Sequence, residues 1–204
     1  HKKQTGGAGQ FGEVFLRIAP LAPGGGFEFH NEVSGGAIPA GLIPAVEKGV
    51  RLALDEGIIA GYKVHDVSVT VYDGKHHSVD SKEIAFLTAA QKATQIALKN
   101  AKPQILEPIV NLEIIAPAND MGAITGDISG RRGQILGTDA QHGNMLIIRA
   151  AVPLSELNEY AGELKSMTSG AGSYTLELSH YQAVPLHIQQ TLAANFTLRE
   201  EKSD

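Results

Sequence analysis

The 204-residue sequence has no cysteine and no tryptophan, and only 5% of its residues are aromatic. Without cysteine, disulfide frameworks, thiolate metal sites and cysteine nucleophiles are excluded. No apolar run reaches the ~20 residues a membrane helix needs and no signal peptide opens the chain, so no membrane partner is expected. No G-x-x-x-x-G-K-[ST] loop is present, so a nucleotide triphosphate is not bound in that way. No serine has a histidine and a carboxylate at nucleophile-elbow spacing, which leaves triad chemistry unsupported. Basic residues are also short: 17 Lys+Arg face 22 Asp+Glu, a formal charge of −5. That balance argues against binding nucleic acid by bulk attraction, though not against a small basic tip.

What is present is ordinary globular composition, 43% apolar and 19% charged. At roughly 100–200 residues per domain, the length suits one large or two small domains. The charge divides unevenly: residues 1–103 hold 11 Lys+Arg and 10 Asp+Glu, residues 104–204 hold 6 and 12. The acidity therefore belongs to the second half. An opening at His1 in place of Met is expected of a piece of a longer chain.

Alternation of apolar and polar residues predicts strands over Glu13–Ala19, Phe27–Val33 and Asp66–Val71. Ile43, Val46, Val50 and Leu54 at helical spacing, after Pro44 and before Gly57, predict a helix. Asp73–Val79 reads as a loop, with Asp80 and Glu83 as a capping box for a helix presenting Ile84, Leu87 and Ile96 to the core. Beyond Pro103 a second rhythm begins. It comprises a strand over Ile109–Ile115, a helix over Met121–Ile128, and strands over Gln134–Thr138 and Met145–Val152. One helix carrying Leu154 through Met167 and a strand marked by Tyr174, Leu176 and Leu178 complete it. The order β-α-β-β-α-β is the split βαβ, ferredoxin-like pattern. A final amphipathic helix carries Leu186, Ile188 and Leu192.

Three motifs point toward chemistry. Gly7–Gly12 matches G-x-G-x-x-G, but Lys2–Thr5 precede it and a strand follows, so the strand-loop-helix context of dinucleotide binding is absent. The glycines suit a flexible, weakly basic tip whose backbone amides can approach RNA phosphates. His76 and His77, with Asp73 and Asp80 nearby, suit either exposed loop histidines, contact with unpaired RNA bases, or a metal-dependent hydrolase. No metal-ligand spacing supports the last. Arg131 and Arg132 suit a helix C-terminus, where cations complement the dipole, or contact with phosphate.

The run His1–Gly12 resembles the opening of the fourth domain of translation elongation factor G. In order along the chain, Gly35–Pro39, Ile43–Val46, Gly61–Tyr62 and His76–Ser81 carry the same likeness. Lys102–Pro103 and Leu106–Pro108 resemble the junction into the family's fifth domain. Gly126–Ile128, Arg131–Gly133, Val152–Ser155 and Gly172–Thr175 resemble that domain's markers. The resemblance implies an α+β chain of two domains. Residues 1–103 would be a βαβ domain like domain 2 of ribosomal protein S5, with a left-handed crossover, and 104–184 a ferredoxin-like domain. A helix at 185–196 would pack back on the first.

By the same resemblance, the function is that of the ribosome-binding part of a translational GTPase that promotes tRNA–mRNA translocation. RNA contacts would come from tip loops at Gly6, Gly7, Ala8, Gly9 and Gln10 and at Lys75, His76, His77, Ser78 and Val79, entering the decoding site of the small subunit. Arg131 and Arg132 would be weaker contacts, near the GTPase-centre RNA of the large subunit. The fragment would have no catalytic residue, metal or cofactor of its own, GTP and Mg belonging to a missing G domain, and would act as a cytoplasmic monomer. Ala8 stands where many members carry Arg, and loss of one such phosphate contact costs ~1–3 kcal/mol. His180–Pro185 resembles paralogues, so a role in ribosome recycling or ribosome protection is the alternative.

Overall fold

The structure, a computed structural model, describes residues 1–4 and 9–200. It divides into two compact units, one formed by His1–Gln104 with the segment beginning at Leu186, the other by Ile105–Pro185.

In the first unit, β1 (Lys2–Lys3) and β2 (Gln10–Phe11) form a small antiparallel pair. A three-stranded sheet follows, from β3 (Glu13–Pro20), β4 (Phe27–Asn31) and β5 (Val67–Lys75), in the order β3-β5-β4. β5 runs antiparallel to β3 and parallel to β4, and α1 (Ile43–Glu56) makes the crossover between β4 and β5. Pro44 sits in the first turn of α1 and Gly57 caps it at φ 70°, as the sequence predicts. α2 (Glu83–Asn100) lies beside α1. Val46, Val50, Leu54, Val67, Val69, Val71, Phe86, Ala90 and Leu98 form the core. The final helix, α5 (Leu186–Glu200), belongs to this unit: Gln189 Nε2 donates to the Pro103 carbonyl at 3.4 Å, and the Phe196 ring lies against Gly61.

The second unit contains β6 (Leu106–Pro117), α3 (Met121–Gly130), β7 (Gln134–Gln141), β8 (Met145–Pro153), α4 (Tyr160–Met167) and β9 (Ser173–Ala183). The sheet is antiparallel throughout, in the order β7-β8-β6-β9, the connectivity of a split βαβ fold. Ile114, Ile124, Ile128, Ile148, Tyr160 and Leu164 lie at the centre of its core.

Several local expectations are corrected. Asp73, Gly74 and Lys75 continue β5, paired with Phe15, Val14 and Glu13, where a loop was expected. The α2 N-cap is Lys82, with no side-chain cap, so Asp80 and Glu83 make no capping box. Ile84 and Ile96 of α2 are 49% and 61% exposed, while Ala85, Phe86, Ala89, Ala90 and Thr94 face inward. The single helix expected from Leu154 is a 3-10 turn (Leu154–Leu157) followed by α4, because Glu159 takes a left-handed conformation at φ 61°. Leu176 and Leu178 are exposed on β9, an edge strand, and Leu186 is exposed on α5.

Candidate nucleic-acid interface

The end of the first unit is built by the β1–β2 hairpin and the β5–α2 loop, which lie some 70 residues apart in sequence and are held together by hydrogen bonds. The Phe11 N–H donates to the Asp80 carbonyl at 2.9 Å, and Ser81 Oγ donates to the Phe11 carbonyl at 2.8 Å. The same Oγ accepts from the His77 N–H at 2.8 Å, and the Ser81 N–H returns to the His77 carbonyl at 3.2 Å. Ser81 thus closes the loop on itself and fastens it to β2. Gly9 lies at the junction: a Cβ there would stand 2.6 Å from Asp80 Oδ1 and would push the Asp80 carboxylate aside.

His1 and Gly12 exchange two backbone hydrogen bonds, His1 N to Gly12 O at 2.7 Å and Gly12 N to His1 O at 2.9 Å, which continue the β1–β2 ladder. His1 Nε2 lies 3.0 Å from Gln10 Oε1. The two loop histidines diverge. His76 Nδ1 donates to the Ala37 carbonyl at 3.1 Å, whereas His77 Nδ1 accepts from the Val79 N–H at 3.4 Å and lies 3.7 Å from Asp80 Oδ2. Among the described residues no group of three or more His, Asp or Glu is placed to hold a metal ion, so the hydrolase alternative gains no support. Lys75, His76, His77, Ser78 and Val79 are all exposed, Val79 at 72%.

The structure therefore brings Gly9 and Gln10 to the same end as Lys75–Val79, while Gly6, Gly7 and Ala8 lie outside the described residues. Asp80 and Ser81, which join the loops, were not among the site residues expected from sequence. A Ser four residues after His77 has no distinctive signature, since its partner on β2 is set by tertiary pairing alone.

Residues 1–102 match the family model for elongation factor G, domain IV, and residues 104–192 match that for the elongation factor G C-terminus. The chain belongs to the elongation factor G family. A crystal structure of a protein from Thermus thermophilus is similar over 97% of this chain, at 40% identity and a TM-score of 0.79. The chain spans 29% of that protein's length. The domain IV match coincides with the part that carries the paired loops, and the C-terminus match holds the remaining candidates, Arg131 and Arg132.

Those two arginines are turned inward. Arg131 Nε donates to Asp127 Oδ2 at 2.8 Å, its other nitrogens reach the Glu156 carbonyl and Glu163, and it lies over the Tyr160 ring. Arg132 forms a bidentate pair with Glu107 at 2.7 and 2.8 Å and donates to Glu156 at 2.8 Å. Hydrogen bonds to Glu107, a buried carboxylate, hold the Arg132 guanidinium firmly charged by raising its pKa. These partners take three of the five N–H donors of each guanidinium, and the carboxylates among them offset its charge.

Proposed function

We propose that the chain is the ribosome-binding end of a translational GTPase that promotes tRNA–mRNA translocation during elongation. Its paired tip loops would enter the decoding site of the small subunit. One observation carries the reading: hydrogen bonds through Asp80 and Ser81 tie the exposed β5–α2 loop to β2, some 70 residues away in sequence, at one end of the domain IV unit. Backbone amides of a glycine-rich hairpin and exposed imidazoles suit RNA phosphates and unpaired bases. Family membership supports the translational setting.

The mechanism is mechanical. Fastening the β5–α2 loop to β2 lowers the entropy lost when it docks, so displacement of the domain is transmitted to the RNA it touches. GTP and Mg act in a G domain belonging to a longer protein, and no residue of this chain performs a chemical step. The C-terminal unit is the proposed partner of GTPase-centre RNA in the large subunit, with Arg131 and Arg132 serving as internal clamps. The protein works in the cytoplasm as a monomer.

The test is His77→Ala in the full-length protein. We expect slower single-round translocation with ribosome-stimulated GTP hydrolysis nearly unchanged. Equal loss of both activities would overturn the tip assignment.

A further inference from the structure

The near balance of charge in the first unit hides a segregation by face. The open face of the three-stranded sheet carries the register pairs Glu13–Lys75, Phe15–Asp73 and Arg17–Thr70, with Thr70 continuing to His30 and Ser68 to Glu28. Its cation Arg17 is engaged by Glu32 at 3.6 Å and its imidazole His30 by Glu28 at 3.1 Å. Four carboxylates, Glu13, Glu28, Glu32 and Asp73, therefore share that face with two cations, Arg17 and Lys75. A polyanion is repelled there.

The β1–α2 side has the opposite character. Lys82, Lys92 and Lys99 on α2 and its N-cap, and Lys2 and Lys3 on opposite faces of β1, are exposed, and among the described residues none has a carboxylate partner within ion-pair distance. Lys92 and Lys99 are seven residues apart on α2, two helical turns, and so lie on one stripe with Thr88 and Gln95. The exposed Ile84 and Ile96 flank it. Lys92 Nζ lies 3.4 Å from His1 Nδ1, which joins the middle of α2 to the start of β1 and hence to Lys2 and Lys3. Of the nearby carboxylates, Glu56 borders the stripe, held by the neutral amides of Gln91 at 2.7 Å and Gln95 at 3.1 Å and still charged, and helical periodicity puts Glu83 on the other side of α2. From Lys82 to Lys99 the helix rises about 25 Å, enough to follow several nucleotides.

We propose that this side is an RNA-backbone track, in which Lys92 and Lys99 of α2, with Lys82 and one of the two β1 lysines, take the phosphates of a strand that continues past the tip. The proposal rests on the ribosome-binding reading and adds to it an orientation, with α2 toward RNA and the open sheet face away. Lysine is suited to this, as a point charge that neutralises phosphate without selecting a base. Unpaired, solvated lysines also meet phosphate without first breaking an internal ion pair.

The test measures binding of the 204-residue chain to purified ribosomes and to a fluorescein-labelled RNA stem-loop, as a function of KCl. Lys92→Glu/Lys99→Glu should weaken both at least tenfold, and Lys92→Ala/Lys99→Ala should flatten the log affinity–log salt slope by about 1–2. Lys92→Arg/Lys99→Arg should retain binding, and circular dichroism should show all variants folded. Unchanged affinity and slope in the glutamate variant, with binding lost in His77→Ala, would overturn the track and leave the tip standing. Loss in the glutamate variant with His77→Ala unaffected would support the track and count against the tip. Weakened ribosome binding with stem-loop binding unchanged would overturn the track in favour of an acidic protein partner.

Discussion

Tyr160 illustrates how one residue can carry a cost that its neighbours absorb. The side chain is fully buried, packs edge-to-face on Tyr174 at 5.2 Å and lies under the Arg131 guanidinium. Its hydroxyl has no hydrogen-bond partner among the described residues, and burial raises its pKa by disfavouring the charged phenolate. An orphaned buried hydroxyl costs about 1–3 kcal/mol, while the ring contributes the packing. Tyr160→Phe should therefore leave stability unchanged or raise it by about 1 kcal/mol, and Tyr160→Ala should cost about 3–5 kcal/mol. Urea unfolding of the three proteins checks this, and a clear loss in the Phe variant would mean that the hydroxyl is bonded in solution. An unsatisfied hydroxyl has no trace in residue order.

At the scale of elements, α2 is the instructive failure. Hydropathy selects Ile84, Leu87 and Ile96 as its inner face, yet Ile84 and Ile96 point to solvent and alanines line the inner face. The reason is how closely α1 and α2 approach: a Cβ on Gly49 of α1 would lie 2.2 Å from the Leu87 carbonyl of α2. Helices this close need small residues at the contact, and small residues carry little hydropathic signal. Gly49→Ala forces backbone against backbone. Its gain in helix propensity of about 1 kcal/mol is outweighed by overpacking of about 1–3 kcal/mol or more. The variant should show a lower melting temperature, and a rise would mean that the helices separate easily. α1 itself was legible, because its large apolar residues, Pro44 and Gly57 all agree.

For the whole molecule, connectivity and compactness diverge. The C-terminal helix follows the second unit in sequence but is part of the first in space, with Gln189 on Pro103 and Phe196 on Gly61. Truncation after Pro185 should lower amide protection in residues 1–104 and leave residues 105–185 nearly unchanged, as read by hydrogen exchange. Loss confined to the second unit would refute this placement. The expected pair of sheet-containing α+β folds was readable because regular alternation and helical spacing recur in an order that few topologies satisfy.

Residue order alone determined most of the helices and strands, where the family markers fall, and which chemistries are closed for lack of cysteine or a P-loop. Those depend on covalent identity and on periodicities of a few residues. Tertiary structure decided what touches what. Asp80 and Ser81 became the link between the β5–α2 loop and β2, Arg131 and Arg132 were drawn into carboxylate clamps, and unpaired lysines came to lie along β1 and α2. Such outcomes turn on close approaches between groups tens of residues apart, where pairing register and side-chain size set the distances.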